Sequence, residues 1–274
     1  VVKKVLLLII VIAIALPLVA LRIAGIPLRG LPEMGSVGVG LAAKLSCSGF
    51  YLSGFSDEQN LADISTYSPA VSLVDVRHER PDTVIASLGS TEARARYVPG
   101  LGCTLLHRGM VNLAALKVPK PADEQGLWPR GDEVTEPDPA MQALLAATLT
   151  EDSREQLETR ALLVVQGGQL IAEVYGAGIQ PDTPLLGWSM GKSLSALMVG
   201  RMEALGQLQR DETGLFPAWQ ADARTNISLE NLLQMSSGLK FTEPYIPGND
   251  STRMLFSAPS ASAVALASPL EHSP

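Results

Sequence analysis

The chain has 274 residues, with 21 basic and 28 acidic side chains and so a formal net charge of -7. This length is sufficient for one large domain or two modest ones. The acidic balance excludes a general nucleic-acid binder, which needs a basic surface to displace counterions from phosphates. We therefore expect no nucleic-acid partner.

The N-terminus is a long apolar segment. Residues 5–21 carry no charge, follow Lys3 and Lys4, and precede Arg22. Extended to residue 26, the segment approaches the ~20 residues needed to cross a bilayer. A cleaved signal peptide is the alternative, although no convincing A-x-A cleavage pattern precedes Arg22. We predict a single-pass signal anchor over residues 1–26, which attaches the protein to the inner (cytoplasmic) membrane with the remainder on the periplasmic side.

Residues 27–136 form a predicted N-terminal extension with no recognisable catalytic motif. Residues 25–40, which overlap the start of this extension, are rich in Gly and Pro. This composition predicts a tether or loop. In an oxidising compartment, an even pair of distant cysteines favours a disulfide between Cys47 and Cys103. A metal site is disfavoured because neither cysteine has another Cys or His at ligand spacing. We expect no metal and no cofactor.

A helix, a hairpin and a second helix are predicted next. Residues 139–157 have helical spacing of their apolar side chains. Two β-rich runs, 161–165 and 170–175, are joined through a Gly-Gly pair, which is typical of a hairpin turn. Residues 187–205 predict an amphipathic helix, and residues 228–235 a short helix that begins at a serine cap.

Residues 189–192 (SMGK) match the S-x-x-K pattern. Positions i and i+3 lie on one helix face, so the Lys192 amine can reach the Ser189 hydroxyl. The helix dipole stabilises negative charge on that oxygen, and a neutral amine can accept its proton. We predict Ser189 as the nucleophile and Lys192 as its proton acceptor or its electrostatic activator. The pattern recurs at residues 237–240 (SGLK), but no amphipathic helix follows there, and Ser237 is predicted to be a turn residue.

A different motif overlaps the same serine. Residues 187–191 (GWSMG) match the G-x-S-x-G elbow of α/β-hydrolases, and Asp222 or Asp250 with His272 would complete a triad. The elbow needs a buried strand directly before the serine, and residues 181–184 (PDTP) leave little room for one. An α/β-hydrolase esterase is therefore kept as an alternative.

The order of these features resembles the class C β-lactamase-related serine hydrolases, which include penicillin-binding esterases and 6-aminohexanoate-dimer hydrolases. The similarity covers residues 142–274 and includes residues 236–239 (SSGL) after a short helix. For residues 137–274 it implies an α+β fold of the β-lactamase/transpeptidase type, an antiparallel sheet flanked by helices. It also implies that the serine of the S-x-x-K pattern opens a long buried helix. The implied reaction is acyl transfer on a small-molecule amide or ester. Trp188 and Tyr245 are candidate substrate-binding residues.

The sequence departs from this family at two motifs. After Ser189, Tyr245 is the only tyrosine, and it does not fit the family's Tyr-x-Asn or Tyr-x-Ser motif; no Lys-Thr-Gly motif occurs. The chain begins with Val1 and stops near the point where family members reach their tyrosine motif. We therefore expect a truncated chain whose fold is incomplete at the C-terminus and whose activity is very low. A non-catalytic binding protein on the same scaffold is a second alternative.

Overall fold

A computed structural model describes residues 31–108, 110, 113–118, 126–129, 131 and 136–274. These residues fall into two compact units. The first contains the described residues up to Ala114 together with Leu186–Pro274, and the second contains those from Ala115 to Leu185. The predicted boundary between residues 136 and 137 coincides with neither limit and stays a prediction.

The first unit begins with helix α1, Leu31–Ser48, which packs against a four-stranded sheet. Val39, Ala42 and Ala43 on the inward face of α1 are buried. The prediction of a tether or loop up to Gly40 is wrong from Leu31 onward. Glycine has a low helix propensity, but burial of an apolar face against a sheet stabilises a helix that propensity alone does not.

The sheet of the first unit is antiparallel throughout, with its strands in sequence order. Val84, Ile85 and Ala86 in the second strand are completely buried, and the cluster that contains Val84 and Ala86 also includes the inward face of α1. A short helix, α2 (Asp57–Ser65), precedes the sheet and is capped by the Ser56 hydroxyl. The strands are β1 (Asp75–Glu79), β2 (Thr83–Leu88), β3 (Thr91–Val98) and β4 (Gly102–Leu105).

A disulfide joins the last turn of α1 to β4. The Sγ atoms of Cys47 and Cys103 are bonded, and the two Cα atoms lie 6.0 Å apart. Both cysteines are buried in the core. One turn earlier on α1, Lys44 donates a hydrogen bond from Nζ to the Cys103 carbonyl, and burial lowers the pKa of this amine. These contacts attach α1 to the edge of the sheet.

From Leu186 to Pro274, the first unit consists of short helices joined by loops and 3-10 turns. Trp219 is almost completely buried and donates from Nε1 to the Leu266 carbonyl at 3.1 Å. The Ser228 hydroxyl and the Asn231 side chain form a capping box at a helix that the sequence predicted, although this helix is shorter than expected. The helices are α4 (Met190–Ala204), α5 (Leu229–Leu233), α6 (Asp250–Phe256) and α7 (Ala261–Ala267), and 3-10 turns occupy Pro217–Trp219 and Ala223–Asn226.

The second unit contains helix α3 (Pro139–Arg154) and the hairpin of β5 (Ala161–Gln166) and β6 (Gln169–Tyr175). The predicted hairpin is confirmed, and both glycines of its turn, 167 and 168, have positive φ. The predicted helix is also confirmed, and the Asp138 carboxylate accepts from the first backbone N–H groups of α3.

The predicted membrane anchor requires a correction. Across the described ranges, none of the helices has the length and apolar character that a bilayer crossing requires. The anchor itself was predicted over residues 1–26, which lie outside the described residues. No helix of the described residues supports the transmembrane helix of the predicted fold class, the single-pass inner-membrane localisation or the membrane contact.

Candidate active site

The site is built at the start of α4. Three successive hydrogen bonds form a tight first turn: Met190 N–H donates to the Gly187 carbonyl at 2.9 Å, Gly191 N–H to the Trp188 carbonyl at 3.2 Å, and Lys192 N–H to the Ser189 carbonyl at 3.0 Å. Each bond spans three residues, which is the spacing of a 3-10 turn. This spacing brings side chains three positions apart onto one face.

Ser189 and Lys192 meet on that face. The Lys192 Nζ lies 2.8 Å from the Ser189 Oγ and donates a hydrogen bond to it. Ser189 occupies the N-cap position of α4, but its hydroxyl accepts no capping hydrogen bond from the helix backbone. The hydroxyl is therefore not used in the way that an ordinary cap serine is used. The two residues predicted to carry the chemistry lie in direct contact.

Trp188, directly before the nucleophile, has an uncommon backbone conformation. Its φ is +40°, in the left-handed region that residues other than glycine seldom occupy. The indole Nε1 donates to the Tyr67 hydroxyl at 3.2 Å, and the two rings meet edge to face with centroids 5.7 Å apart. No local pattern in the sequence indicates Tyr67, because 121 positions separate it from Trp188. Only the folded chain brings these rings together.

The apolar face of α4 is exposed. The resemblance implied that the serine opens a buried helix, but α4 buries none of its residues. Leu197 is 71% exposed, and the neighbouring side chains of the predicted apolar face are also exposed: Leu194, Met198, Met202 and Leu205. The expectation of a buried helix is therefore wrong for the described residues, since none of their side chains packs over this face closely enough to bury it.

The second S-x-x-K match has a different geometry. Gly238 has a φ of +69°, and the next residue, Leu239, forms an isolated antiparallel bridge with Leu270. The Lys240 Nζ lies 4.0 Å from a carboxylate oxygen of Glu271. The Ser237 hydroxyl accepts from the Leu239 N–H at 3.4 Å. This serine lacks the contact that Ser189 makes, and its predicted place in a turn stays a prediction.

The elbow alternative lacks its structural context. Both sheets of the described residues are antiparallel, and no strand occurs between Tyr175 and Ser189. The Asp222 carboxylate accepts hydrogen bonds from the side chain and the backbone N–H of Arg224. These hydrogen bonds lower the pKa of the Asp222 carboxyl to about 2. Asp250 is engaged by Arg253 and by the Thr242 N–H.

The predicted histidine of this triad lies elsewhere. The backbone of His272 pairs with the Gly238 carbonyl at 3.0 Å. Among the described hydrogen bonds, none joins Asp222, Asp250 or His272 to Ser189. A Ser-Asp-His relay is therefore not assembled here.

Tyr245, the other predicted substrate contact, lies in the loop between α5 and α6 and is 65% exposed. No ring contact or hydrogen bond described for this part of the chain joins its side chain to Ser189 or Lys192. Within the described residues, no group of three or more His, Cys, Asp or Glu side chains is arranged to hold a metal ion. Among the described residues, the Ser189 side chain is therefore in contact with Lys192. Its neighbour in sequence, Trp188, is in contact with Tyr67.

Comparison with known proteins identifies a family whose sequence pattern this chain matches. A family model described as Beta-lactamase matches residues 138–274, which include Ser189 and Lys192. The chain belongs to the beta-lactamase family. The match supports a beta-lactamase-like fold of mixed helix and sheet.

A curated relative of this beta-lactamase family chain is a 6-aminohexanoate-dimer hydrolase from Paenarthrobacter ureafaciens. The two are 30% identical over 122 residues, which cover 43% of this chain and 31% of the relative. The chain thus spans about a third of the length of the curated relative that it matches. No solved structure matches the chain significantly.

Proposed function

We propose that this chain carries the nucleophile of a serine hydrolase that acts through an acyl-enzyme on an amide or ester, related to the class C β-lactamases. The observation that carries the proposal is the 2.8 Å contact between the Lys192 Nζ and the Ser189 Oγ at the start of α4. The family match and the hydrolase relative support it.

In the proposed first step, Lys192 in its neutral form accepts the hydroxyl proton while the Ser189 Oγ bonds to the carbonyl carbon of the substrate. The carbonyl π electrons move to oxygen and form a tetrahedral oxyanion. The Ser189 backbone N–H, at the positive end of the α4 dipole, would stabilise that charge. Collapse of the intermediate breaks the bond to the leaving amine or alcohol, which takes the proton from Lys192.

In the proposed second step, water attacks the ester formed on Ser189. The same amine accepts a proton from this water. Collapse of the second tetrahedral intermediate breaks the bond between the carbonyl carbon and the Ser189 Oγ, which takes the proton back from Lys192, and the carboxylic acid is released. Trp188, which is half exposed and directly precedes the nucleophile, is proposed to contact the substrate. Tyr245 is proposed to lie at the edge of the same substrate-binding site. The substrate is a small-molecule amide or ester.

Turnover of substrate by this chain is proposed to be slow. The family's tyrosine motif and Lys-Thr-Gly motif do not occur after Ser189. In the family that this chain resembles, the strand of the Lys-Thr-Gly motif supplies one donor to the oxyanion. Loss of one such donor alone costs roughly 10²–10³ in rate. Covalent labelling is therefore a better assay than turnover, because a single acylation-like event is sufficient for detection.

A fluorescent fluorophosphonate probe tests the proposal on the 274-residue chain. We expect labelling of the wild-type protein and of His272→Ala, and loss of labelling in Ser189→Ala. Labelling that requires His272 would indicate the triad of an α/β-hydrolase. Absence of wild-type labelling would contradict the proposal and favour a binding protein on this scaffold.

A further inference from the structure

A side chain from outside the family-matching segment reaches the proposed nucleophile. Tyr67 follows α2, well before residue 138, and its hydroxyl accepts the indole N–H of Trp188 at 3.2 Å. The rings also form an edge-to-face pair with an interplanar angle of 62°. Edge-to-face aromatic pairs have a preferred geometry and so hold both rings in a defined orientation. The N-terminal extension is thus in direct contact with the residue that precedes Ser189.

The backbone of Trp188 needs such a contact. A left-handed φ in a bulky residue is strained, and it persists only where the surroundings hold it. The indole is 46% exposed, so its surroundings hold it on one side only. Within the part of the chain that the structure describes, Tyr67 supplies both the ring contact and the hydrogen bond of this indole.

The conformation of Trp188 determines the geometry of the first turn of α4. The Gly187 carbonyl, one residue before Trp188, accepts from the Met190 N–H at 2.9 Å. A return of the Trp188 φ to negative values would rotate Gly187 away from α4 and break this bond. The same turn holds Ser189 and Lys192 on one face. Relaxation of Trp188 would therefore reduce the population of the arrangement in which hydroxyl and amine meet.

We propose that Tyr67 is a positioning residue for Ser189, which acts through Trp188 to keep the first turn of α4 in its reactive conformation. This inference rests on the proposed function of Ser189 as the nucleophile. It assigns a role in the reaction to the N-terminal extension, in which no catalytic motif occurs. Because Tyr67 acts on the reacting groups through the first turn of α4, its loss lowers the maximal rate of acylation more than it changes the affinity for the acylating compound.

The test compares Tyr67→Phe with a matched control on the full chain. Tyr51 is a suitable control because its hydroxyl also makes a single 3.2 Å hydrogen bond, to the Pro81 carbonyl. We measure the maximal labelling rate and the half-saturating concentration of a fluorophosphonate probe. Loss of one neutral hydrogen bond is expected to lower the maximal labelling rate by about three- to tenfold. We expect a fall of that size in the maximal rate for Tyr67→Phe, larger than any change in the half-saturating concentration, and no change for Tyr51→Phe.

A spectroscopic readout tests the contact without any labelling. The chain has three tryptophans, and Trp188→Phe identifies the indole N–H signal of Trp188 in a ¹⁵N-labelled sample. We expect Tyr67→Phe to shift this signal and to accelerate its exchange with water. The urea midpoints of both tyrosine variants are compared, so that a fall in rate at an unchanged midpoint identifies positioning rather than loss of fold.

The outcomes separate this inference from the proposed function. Normal labelling kinetics in Tyr67→Phe, with the adduct still on Ser189, would overturn the positioning role and leave the nucleophile in place. An unchanged Trp188 indole signal would overturn it as well. A wild-type chain that the probe does not label would overturn both.

Discussion

Gly40 in α1 lies against the carbonyl of Phe256 in α6, so close that a Cβ on Gly40 would fall far inside van der Waals contact with that oxygen. The obstructing atom belongs to backbone, which cannot rotate away as the end of a side chain can. We therefore expect Gly40→Ala to lower the free energy of unfolding by about 1–3 kcal/mol, as other overpacked sites do.

The same helix offers a matched control for this prediction. A Cβ on Gly38 would meet no atom within 4 Å. Since alanine favours a helix over glycine by about 0.5–1 kcal/mol, Gly38→Ala is expected to leave stability unchanged or to raise it. Urea denaturation followed by circular dichroism measures both variants. Equal stability of the two alanine variants would show that α1 and α6 do not pack as described.

The disulfide gives a second stability prediction. Cys47 and Cys103 are the only cysteines, and the bond between them closes a loop with a sequence separation of 56. Replacement of both by alanine is expected to lower the free energy of unfolding by about 2–5 kcal/mol, because the unfolded chain gains conformational freedom. A reducing agent should destabilise the wild-type protein to a similar extent and leave the double variant unaffected. A wild-type protein that is insensitive to reduction would contradict the prediction.

The Asp222–Arg224 pair predicts a pH dependence. Hydrogen bonds from Arg224 hold the pKa of the Asp222 carboxyl at about 2, below the 3.8 of an unperturbed aspartate. A carboxyl whose pKa is lowered in the folded state contributes stability above its unfolded pKa and loses it as the pH falls. The difference in urea midpoint between wild type and Asp222→Asn should therefore be largest above about pH 5 and disappear on acidification from 3.8 towards 2. A difference that is constant over this range would argue against the pair.

The two lysines of the S-x-x-K matches should differ in function. Lys192 lies 2.8 Å from its serine, whereas Lys240 is directed towards Glu271. Removal of a general base typically costs 10²–10⁴ in rate, so Lys192→Met is expected to slow fluorophosphonate labelling by about 10²-fold or more. Lys240→Met should react at the wild-type rate. Similar rates in the two variants would remove Lys192 from the proposed mechanism.

Local signals in the sequence were sufficient for part of the fold. A Gly-Gly pair between two β-rich runs predicts the hairpin of β5 and β6, and Asp138 before an apolar repeat predicts the start of α3. The i, i+3 spacing likewise predicts the contact between Ser189 and Lys192, because a single helical turn determines it. Each of these features depends on residues that are close in sequence.

Features that depend on distant residues were missed. Residues 31–40 predict a loop because glycine disfavours a helix, but packing against the sheet stabilises α1 there. The contact between Tyr67 and Trp188 joins residues 121 positions apart, which no local pattern encodes. The left-handed φ of Trp188 also had no signal in the sequence, since strained residues of this kind depend on tertiary contacts.

The most direct test of the account is the position of a fluorophosphonate adduct. Trypsin releases residues 161–192 as one peptide, in which Ser189 is the only serine, and residues 225–240 as another, which contains Ser237. We predict that mass spectrometry finds the adduct on the peptide 161–192 and that it is absent from Ser189→Ala. An adduct on the peptide 225–240, or one that persists in Ser189→Ala, would contradict the assignment of Ser189 as the nucleophile.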